Sequence, residues 1–152
     1  MNFAYTILYV ADVPASLRFF GAAFGLQTRF LHESGAYGEL ETGATALAFA
    51  QLEVARDSLG GDFVEAARSD RPLGMEVGLA CADVDAAYAR ALAAGATGLK
   101  PPTTKPWGQV WPMCAARTAA WSSCARPWAA EREPPHGHGH DLTDAGARPA
   151  QP

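Results

Sequence analysis

The chain has 152 residues, 49% of them hydrophobic and 18% charged, which is enough apolar material for one globular unit with a sizeable core. Its formal net charge of −4 provides no basic surface for phosphate groups, so nucleic acid and anionic membranes are excluded as expected partners. No apolar stretch reaches membrane-spanning length and no basic leader precedes the first apolar run, so we expect a cytoplasmic protein whose partner is a small molecule.

Residues 5–25 predict a strand followed by a helix. The segment YTILYVADV alternates as a strand does and contains Asp12, a residue type that caps helix N-termini. Apolar residues then recur at helical spacing through Phe20 and Phe24. Gly25 stands where a left-handed residue ends a helix. The first element pair is therefore β then α.

A strand region and a hairpin complete the first unit. In YGELETGATALAFA, residues 37–50, a Thr-Gly-Ala turn separates two strand-like runs. The unit thus has the order βαβββ and is expected to span residues 1–54. A connector rich in Gly, Pro and charged residues follows over residues 55–73, with a short helix predicted at residues 63–68.

The same order of elements begins again after the connector. EVGLACADV, residues 76–84, repeats the strand and the capping Asp, and DAAYARALAA followed by Gly95 repeats the helix. WGQV, residues 107–110, matches YGEL, residues 37–40, at nearly the same displacement. An internal repeat of this length predicts a second βαβββ module over residues 74–128.

This arrangement resembles the vicinal oxygen chelate superfamily, which includes glyoxalase I, bleomycin resistance proteins, extradiol dioxygenases and fosfomycin resistance enzymes. The resemblance rests on LYVADVPASLRFF, FGL, ELETGATALAF, ADVDAAYARALAAGA and KPWGQ, all within residues 3–110. These motifs are specific for the superfamily and not for one activity. They imply an α+β fold of paired βαβββ modules, a cup that holds the ligand, and a homodimer as the intact form.

The pattern breaks after Val110. The repeat requires two more strands, but WPMCAARTAAWSSCARPW, residues 111–128, has no strand alternation, so the second module is expected to be incomplete at its C-terminal strands and regular only to about residue 110. Residues 129–152 have almost no bulky apolar side chain and predict a disordered tail.

A different reading frame would restore the missing strands. A codon of the shifted frame consists of the last base of one residue's codon and the first two bases of the next residue's codon. If the wobble positions are GC-rich, the shifted frame over residues 111–128 can encode VAYVRGPDGRLVELCTPM. That sequence is a strand, a turn containing Asp-Gly and a strand. We therefore hypothesise that the chain from about Val110 is read out of frame, through a frameshift or a sequence error. The alternative is a natural, divergent tail.

Strand alternation predicts which side chains face the cup. If Tyr5 points inward, every second residue of its strand shares that face, and Ala48 on the last strand of the module joins it. Glu76 begins the corresponding face of the second module, and Tyr37 and Trp107 are expected to frame it. Aromatic walls over small residues suit a flat, largely apolar ligand. The alternative is that this face packs against the other module. The predicted ligand-binding residues are Tyr5, Ile7, Tyr9, Tyr37, Ala48, Glu76, Gly78 and Trp107.

The resemblance also implies where a metal would bind. Metal-dependent members use His and Glu side chains on the first and last strands of each module, and the matching positions here are Tyr5, Ala48, Glu76 and Ser123, where the other frame encodes Glu. One carboxylate and no imidazole make a poor site for a transition metal, so we expect no metal, no other cofactor and no catalytic residue. Glu76 is either a polar group facing the ligand or a rim residue bonded to a tyrosine.

These observations favour a metal-free, small-molecule binding protein of the glyoxalase/bleomycin resistance type. The first alternative is a metal-dependent enzyme of the same superfamily, a lyase, isomerase or dioxygenase. The second is a frameshifted chain with impaired or no activity. The fold hosts many chemistries, so the sequence identifies neither the ligand nor a reaction.

Overall fold

A computed structural model of the chain contains two four-stranded sheets and three α-helices among the residues it describes, which are 1–69, 71, 73–116 and the backbone of 121–125. In chain order the elements are β1 (Tyr5–Val10), α1 (Val13–Phe24), β2 (Thr28–Leu31), β3 (Tyr37–Leu40), β4 (Ala46–Gln51), α2 (Leu52–Leu59), a 3₁₀ turn (Ala66–Arg68), β5 (Val77–Ala80), α3 (Val84–Ala93), β6 (Thr97–Lys100), β7 (Met113–Ala115) and β8 (Trp121–Ala125).

The two sheets have the same topology. The first has the strand order β1-β4-β3-β2 and the second the order β5-β8-β7-β6. In each sheet the first and last strands of the module are parallel neighbours, and the remaining pairs are antiparallel. The predicted α+β fold of paired βαβββ modules is confirmed.

Both long helices begin at the aspartates that the sequence indicated. Asp12 Oδ1 accepts a hydrogen bond from the Ala15 amide at 2.8 Å, and Asp83 Oδ1 accepts one from the Ala86 amide at 3.0 Å. These carboxylates satisfy amides that have no partner within the helix. Gly25, with φ of 73°, ends α1 in the left-handed conformation that the sequence predicted.

The core lies between α1 and the first sheet. Phe20 is fully buried against Phe49 of β4, with ring centroids 5.1 Å apart. Leu8 and Val10 of β1 and Leu47 of β4 belong to the same buried cluster. Because side chains alternate along a strand, the opposite face of this sheet carries the residues between them.

The modules meet through their helices. Helix α1 packs on α3, and the Arg90 Nε donates a hydrogen bond to the Ala23 carbonyl at 2.8 Å. Ala91 of α3 and Cys114 of β7 belong to the same hydrophobic cluster as Phe20. Among the described strands, pairing stays within each sheet. The chain therefore has one continuous core, with helices at the junction.

The connector contains a helix that the sequence analysis did not predict. Helix α2 spans Leu52–Leu59, across the expected module boundary at residue 54, and ends at Gly60 in the left-handed conformation, with φ of 71°. Gly60, one of the glycines of the predicted connector, is in fact a helix C-cap. The short helix expected at residues 63–68 is a 3₁₀ turn over Ala66–Arg68.

The second module is incomplete in the way the sequence predicted. Strand β7 has three residues and pairs with β8 at two positions, Cys114 with Ser122 and Ala115 with Trp121. These short strands nevertheless occupy the places of the third and fourth strands of the module. Residues 117–120, and the tail expected to be disordered at 129–152, lie outside the described residues.

The proposed match between WGQV and YGEL was wrong. Residues 37–40 form β3, but Gly108 lies in a turn with φ of 89°, where its amide donates to the Lys105 carbonyl at 2.8 Å. Val110 makes only an isolated bridge with Thr104, and β7 is the true counterpart of β3. The aromatic-Gly pair at 107–108 reflects turn geometry, since Gly readily adopts positive φ.

Candidate functional site

The candidate site is the face of the first sheet opposite α1, which we call the open face. Strand register aligns its side chains in rows across the sheet. Ile7 pairs with Ala48, Ala48 with Glu39, and Glu39 with Phe30. Two further rows flank this one. They are Tyr5 with Ala46, and Tyr9 with Ala50 and Tyr37.

The open face has large, accessible side chains around a floor of alanines. Tyr5 is 52% exposed, Ile7 41% and Phe30 46%. Ala48, which was predicted to contact ligand, shares this face but is fully buried. It therefore lies beneath the surface that the larger side chains form, and a ligand would meet those side chains first.

The end of the open face near Tyr9 is covered by the connector. The ring of Phe63 lies 5.7 Å from the ring of Tyr9, and the Arg56 guanidinium lies 5.9 Å from the centre of the Phe63 ring. Arg56 also bonds Glu53 and Glu65. Tyr9 was predicted to line the cup, but here it supports the closed end of the face.

A carboxylate lies in the central row. The Glu39 side chain is 15% exposed, and its Oε1 accepts a hydrogen bond from the Tyr37 hydroxyl at 2.8 Å. Burial, with help from this bond to the negatively charged Glu39, raises the pKa of Tyr37 to about 12. Tyr37 is therefore a neutral donor to Glu39 at neutral pH.

Arg29 lies beside Glu39 but is bound to other groups. Its Nε and Nη2 donate to the two carboxylate oxygens of Glu41 at 2.9 and 2.6 Å, and Nη2 also donates to the Gly43 carbonyl at 2.6 Å. The distance from Arg29 Nη1 to Glu39 Oε2 is 4.0 Å, too long for a hydrogen bond. The hydrogen bonds from Arg29 and from the Gly43 amide hold the pKa of Glu41 at about 2.

Glu76 and Gly78 lie away from this group. Glu76 Oε1 accepts a hydrogen bond from the Trp111 indole Nε1 at 2.9 Å. Both residues line a cleft of about 240 Å³. Thr6 and Leu47 also line this cleft, and their side chains lie on the side of the first sheet opposite the open face. In the part of the chain that the structure describes, no hydrogen bond, ion pair or ring contact joins Glu76 to the tyrosines of the open face.

Trp107 is exposed on the loop before β7. Its indole Nε1 donates to Gln109 Oε1 at 2.9 Å, and the Lys105 ammonium lies 5.8 Å from the ring centre. It has no described ring contact with Tyr37, the residue it was expected to match. The structure thus brings five of the eight predicted residues to one face, namely Tyr5, Ile7, Tyr9, Tyr37 and Ala48.

The sequence analysis missed Glu39 and Phe30. The signal for Glu39 was present, because YGEL places it two residues after Tyr37 and therefore on the same face of a strand. Phe30 needed the pairing of β2 with β3, which alternation within one strand does not reveal. Within residues 1–69, 71 and 73–116, no three His, Cys, Asp or Glu side chains are grouped as metal ligands would be.

The family model for the Glyoxalase/Bleomycin resistance protein/Dioxygenase superfamily matches residues 2–118. The chain belongs to this superfamily. No curated protein sequence matches it. The superfamily assignment agrees with the strand order of both modules and leaves the ligand and the chemistry open.

Solved structures of the superfamily share the fold. A glyoxalase-related enzyme from Fulvimarina pelagi is 22% identical, with a TM-score of 0.70 over 83% of this chain and 88% of that one. A glyoxalase/bleomycin resistance protein/dioxygenase family enzyme from Burkholderia phytofirmans PsJN is 18% identical, with a TM-score of 0.68 over 83% and 98%. TioX from Micromonospora sp. ML1 is 18% identical, with a TM-score of 0.62 over the same shares.

Proposed function

We propose that this protein binds a small molecule without a metal, in the manner of the glyoxalase/bleomycin resistance type, and that the ligand is flat and largely apolar. The observation that carries the proposal is the open face, where Tyr5, Ile7 and Phe30 are accessible around a floor of alanines. Exposed apolar side chains grouped on one face are typical of binding surfaces.

The donor set supports the metal-free part of the proposal. At the strand positions that hold metal ligands in metal-dependent members, this chain has Tyr5 and Ala48 in the first module. Glu76, the one carboxylate at such a position, bonds the Trp111 indole. The enzyme alternative requires stoichiometric divalent metal in the purified protein, lost in Glu76→Gln, and that result would overturn this part of the proposal.

Acridine, a flat ring system that is neutral at pH 7.5, provides a direct test. We expect saturable binding, measured by the change in acridine fluorescence on titration with the protein. Tyr5→Ala and Ile7→Asp should each weaken binding by about tenfold, because each removes apolar contact area from the open face. Leu59→Ser, at an exposed position at the end of α2, is the matched control. The proposal fails if acridine does not bind, or if all three variants bind as the wild type does.

The proposal includes a homodimer. In one copy of the chain the open face leaves Tyr5, Ile7 and Phe30 exposed. Strand β1 pairs only with β4 among the described strands, and a strand edge of this kind is able to accept another chain. Sedimentation equilibrium should give twice the chain mass, and a monomer at all micromolar concentrations would contradict the dimer.

The proposal also concerns location and macromolecular partners. No helix in the described residues is long and apolar enough to cross a membrane. We place the protein in the cytoplasm and assign it no nucleic acid or membrane partner, in keeping with its acidic net charge.

The altered reading frame after Val110 is part of the proposal. The alternative translation has strand-like runs at positions 112–115 and 120–125, and the backbone forms β7 at Met113–Ala115 and β8 at Trp121–Ala125. The strand positions thus agree with the alternative translation, although the residues as given lack strand alternation.

Resequencing the gene from source DNA across the codons for residues 108–130 tests the frame hypothesis. A missing or extra base that restores VAYVRGPDGRLVEL is the expected result, and an unchanged sequence would refute it. The further alternative, a defective chain, is contradicted if the protein as given expresses in soluble form and unfolds in one sharp transition.

A further inference from the structure

The carboxylate of Glu39 is partly buried and incompletely hydrogen-bonded. Its side chain is 15% exposed, and its one described hydrogen bond comes from the Tyr37 hydroxyl to Oε1. A carboxylate has about four acceptor sites, and a buried charge is costly unless it is hydrogen-bonded or paired. Glu39 Oε2 therefore has capacity for another donor.

Arg29 forms an ion pair with Glu39 but donates no hydrogen bond to it. Three short hydrogen bonds fix its guanidinium on Glu41 and Gly43, and its nearest approach to Glu39 Oε2 is 4.0 Å. Counting Arg29 with Glu39 and Glu41 gives one positive and two negative charges. The group has a net charge of −1, and Glu39 is the less exposed of the two carboxylates.

The position of Glu39 makes this charge available to a bound molecule. It lies in the central row of the open face, between the buried Ala48 and the accessible Phe30. The Tyr37 ring lies 6.4 Å from the Phe30 ring, so two aromatic side chains lie on the same face as the carboxylate. A cation gains both from a nearby carboxylate and from aromatic rings.

We infer that Glu39 determines specificity on the open face and selects a flat ligand that carries a positively charged nitrogen. This inference rests on the proposed function and adds the charge of the ligand. The nitrogen donates a hydrogen bond to Glu39 Oε2 while the ring system contacts Tyr5, Ile7 and Phe30. Tyr37 holds the carboxylate in place through Oε1.

Two dyes with the same ring skeleton separate the charge from the shape of the ligand. At pH 7.5, 9-aminoacridine is a cation and acridine is neutral. We expect the full-length protein to bind 9-aminoacridine about tenfold more tightly than acridine, because the cation alone pairs with Glu39. Glu39→Gln should abolish the preference and leave acridine affinity within about twofold, since the amide oxygen still accepts from Tyr37.

Glu33→Gln is the matched control. It removes the same charge from the exposed β2–β3 turn, so it should keep the preference for the cation. Equal affinities of the wild type for the two dyes would overturn the inference alone. A preference that persists in Glu39→Gln, or that is lost equally in Glu33→Gln, would also overturn it. Failure of acridine to bind would overturn the proposed function and, with it, the inference.

Discussion

Arg29 on β2 interacts unequally with two neighbouring glutamates, Glu39 and Glu41. Its guanidinium makes two hydrogen bonds to Glu41, at 2.9 and 2.6 Å, but none to Glu39. A bidentate pair fixes both partners, so the arginine is held at the surface end of the hairpin. The cross-strand bond also ties β2 to the start of the β3–β4 turn, through the Gly43 carbonyl.

At the residue scale we predict that Arg29→Gln raises the pKa of Glu41 from about 2 toward its usual value of 4.5, because the variant loses the charged hydrogen bonds. A depressed carboxyl pKa stabilises the fold above pH 4.5, and the contribution is lost as the pH falls through about 2. The stability difference between wild type and variant should therefore be present at pH 6 and shrink over that acidic range.

Carbon NMR of the Glu41 carboxyl through an acid titration measures the pKa directly. Urea denaturation at several pH values measures the stability difference. A Glu41 midpoint in the wild type near 4.5, or a stability difference that grows on acidification, would contradict this account.

Strand β3 and helix α1 approach each other closely at Gly38. A Cβ at this position would lie 2.8 Å from Leu17 Cδ1, 3.1 Å from the Phe30 carbonyl oxygen and 3.2 Å from Val13 Cγ1. Atoms of two elements, α1 and β2, would have to move, and one of the contacts is backbone. Gly38 is thus required by packing between elements rather than by its own backbone angles.

At the element scale we predict that Gly38→Ala lowers the free energy of unfolding by about 1–3 kcal/mol, the usual cost of overpacking. Gly78→Ala is the control, because it also lies in a strand and a Cβ there would meet nothing within 4 Å. The control should be neutral or stabilising by up to about 1 kcal/mol, because alanine restricts the unfolded chain. Denaturant unfolding measures the free energy of unfolding of both variants. An equal loss of stability in the two variants would refute the packing argument.

Helix packing and a charged hydrogen bond join the two modules of the molecule. The Arg90 Nε of α3 donates to the carbonyl of Ala23 at 2.8 Å, near the C-terminus of α1. Carbonyls in the last turn of a helix lack partners within the helix, so Arg90 satisfies an otherwise unpaired group. The shared core and this bond should make the modules unfold together.

At the scale of the whole molecule we predict that Arg90→Met lowers the stability of both modules by about 1–3 kcal/mol, because a buried carbonyl loses its donor. All four tryptophans lie in the C-terminal half, so tryptophan fluorescence reports on the second module and far-UV circular dichroism reports on both. The two unfolding midpoints should move together. Arg18→Met, on the exposed side of α1, is the control and should change stability by less than about 0.5 kcal/mol. A shift confined to fluorescence would mean that the modules unfold independently.

The sequence by itself determined the first strand and helix of each module and the repeat that relates them. Asp12, Asp83 and Gly25 mark helix ends through hydrogen bonds and backbone angles that involve only a few neighbouring residues, and the structure confirms all three. Alternation likewise determined that Tyr5 and Ile7 share a face, because the strand period is independent of what the strand packs against.

Tertiary structure decided which of these residues lie together. Phe63 covers Tyr9, and the Trp111 indole donates a hydrogen bond to Glu76, although these segments are distant in sequence. Phe30 lies beside Glu39 only because β2 pairs with β3. Trp107 lies in a turn because the backbone at Gly108 adopts a positive φ, which residue identity permits but does not require. Local rules determine helix caps and the alternation of side chains along a strand, whereas burial and hydrogen-bond partners depend on how the elements pack against one another.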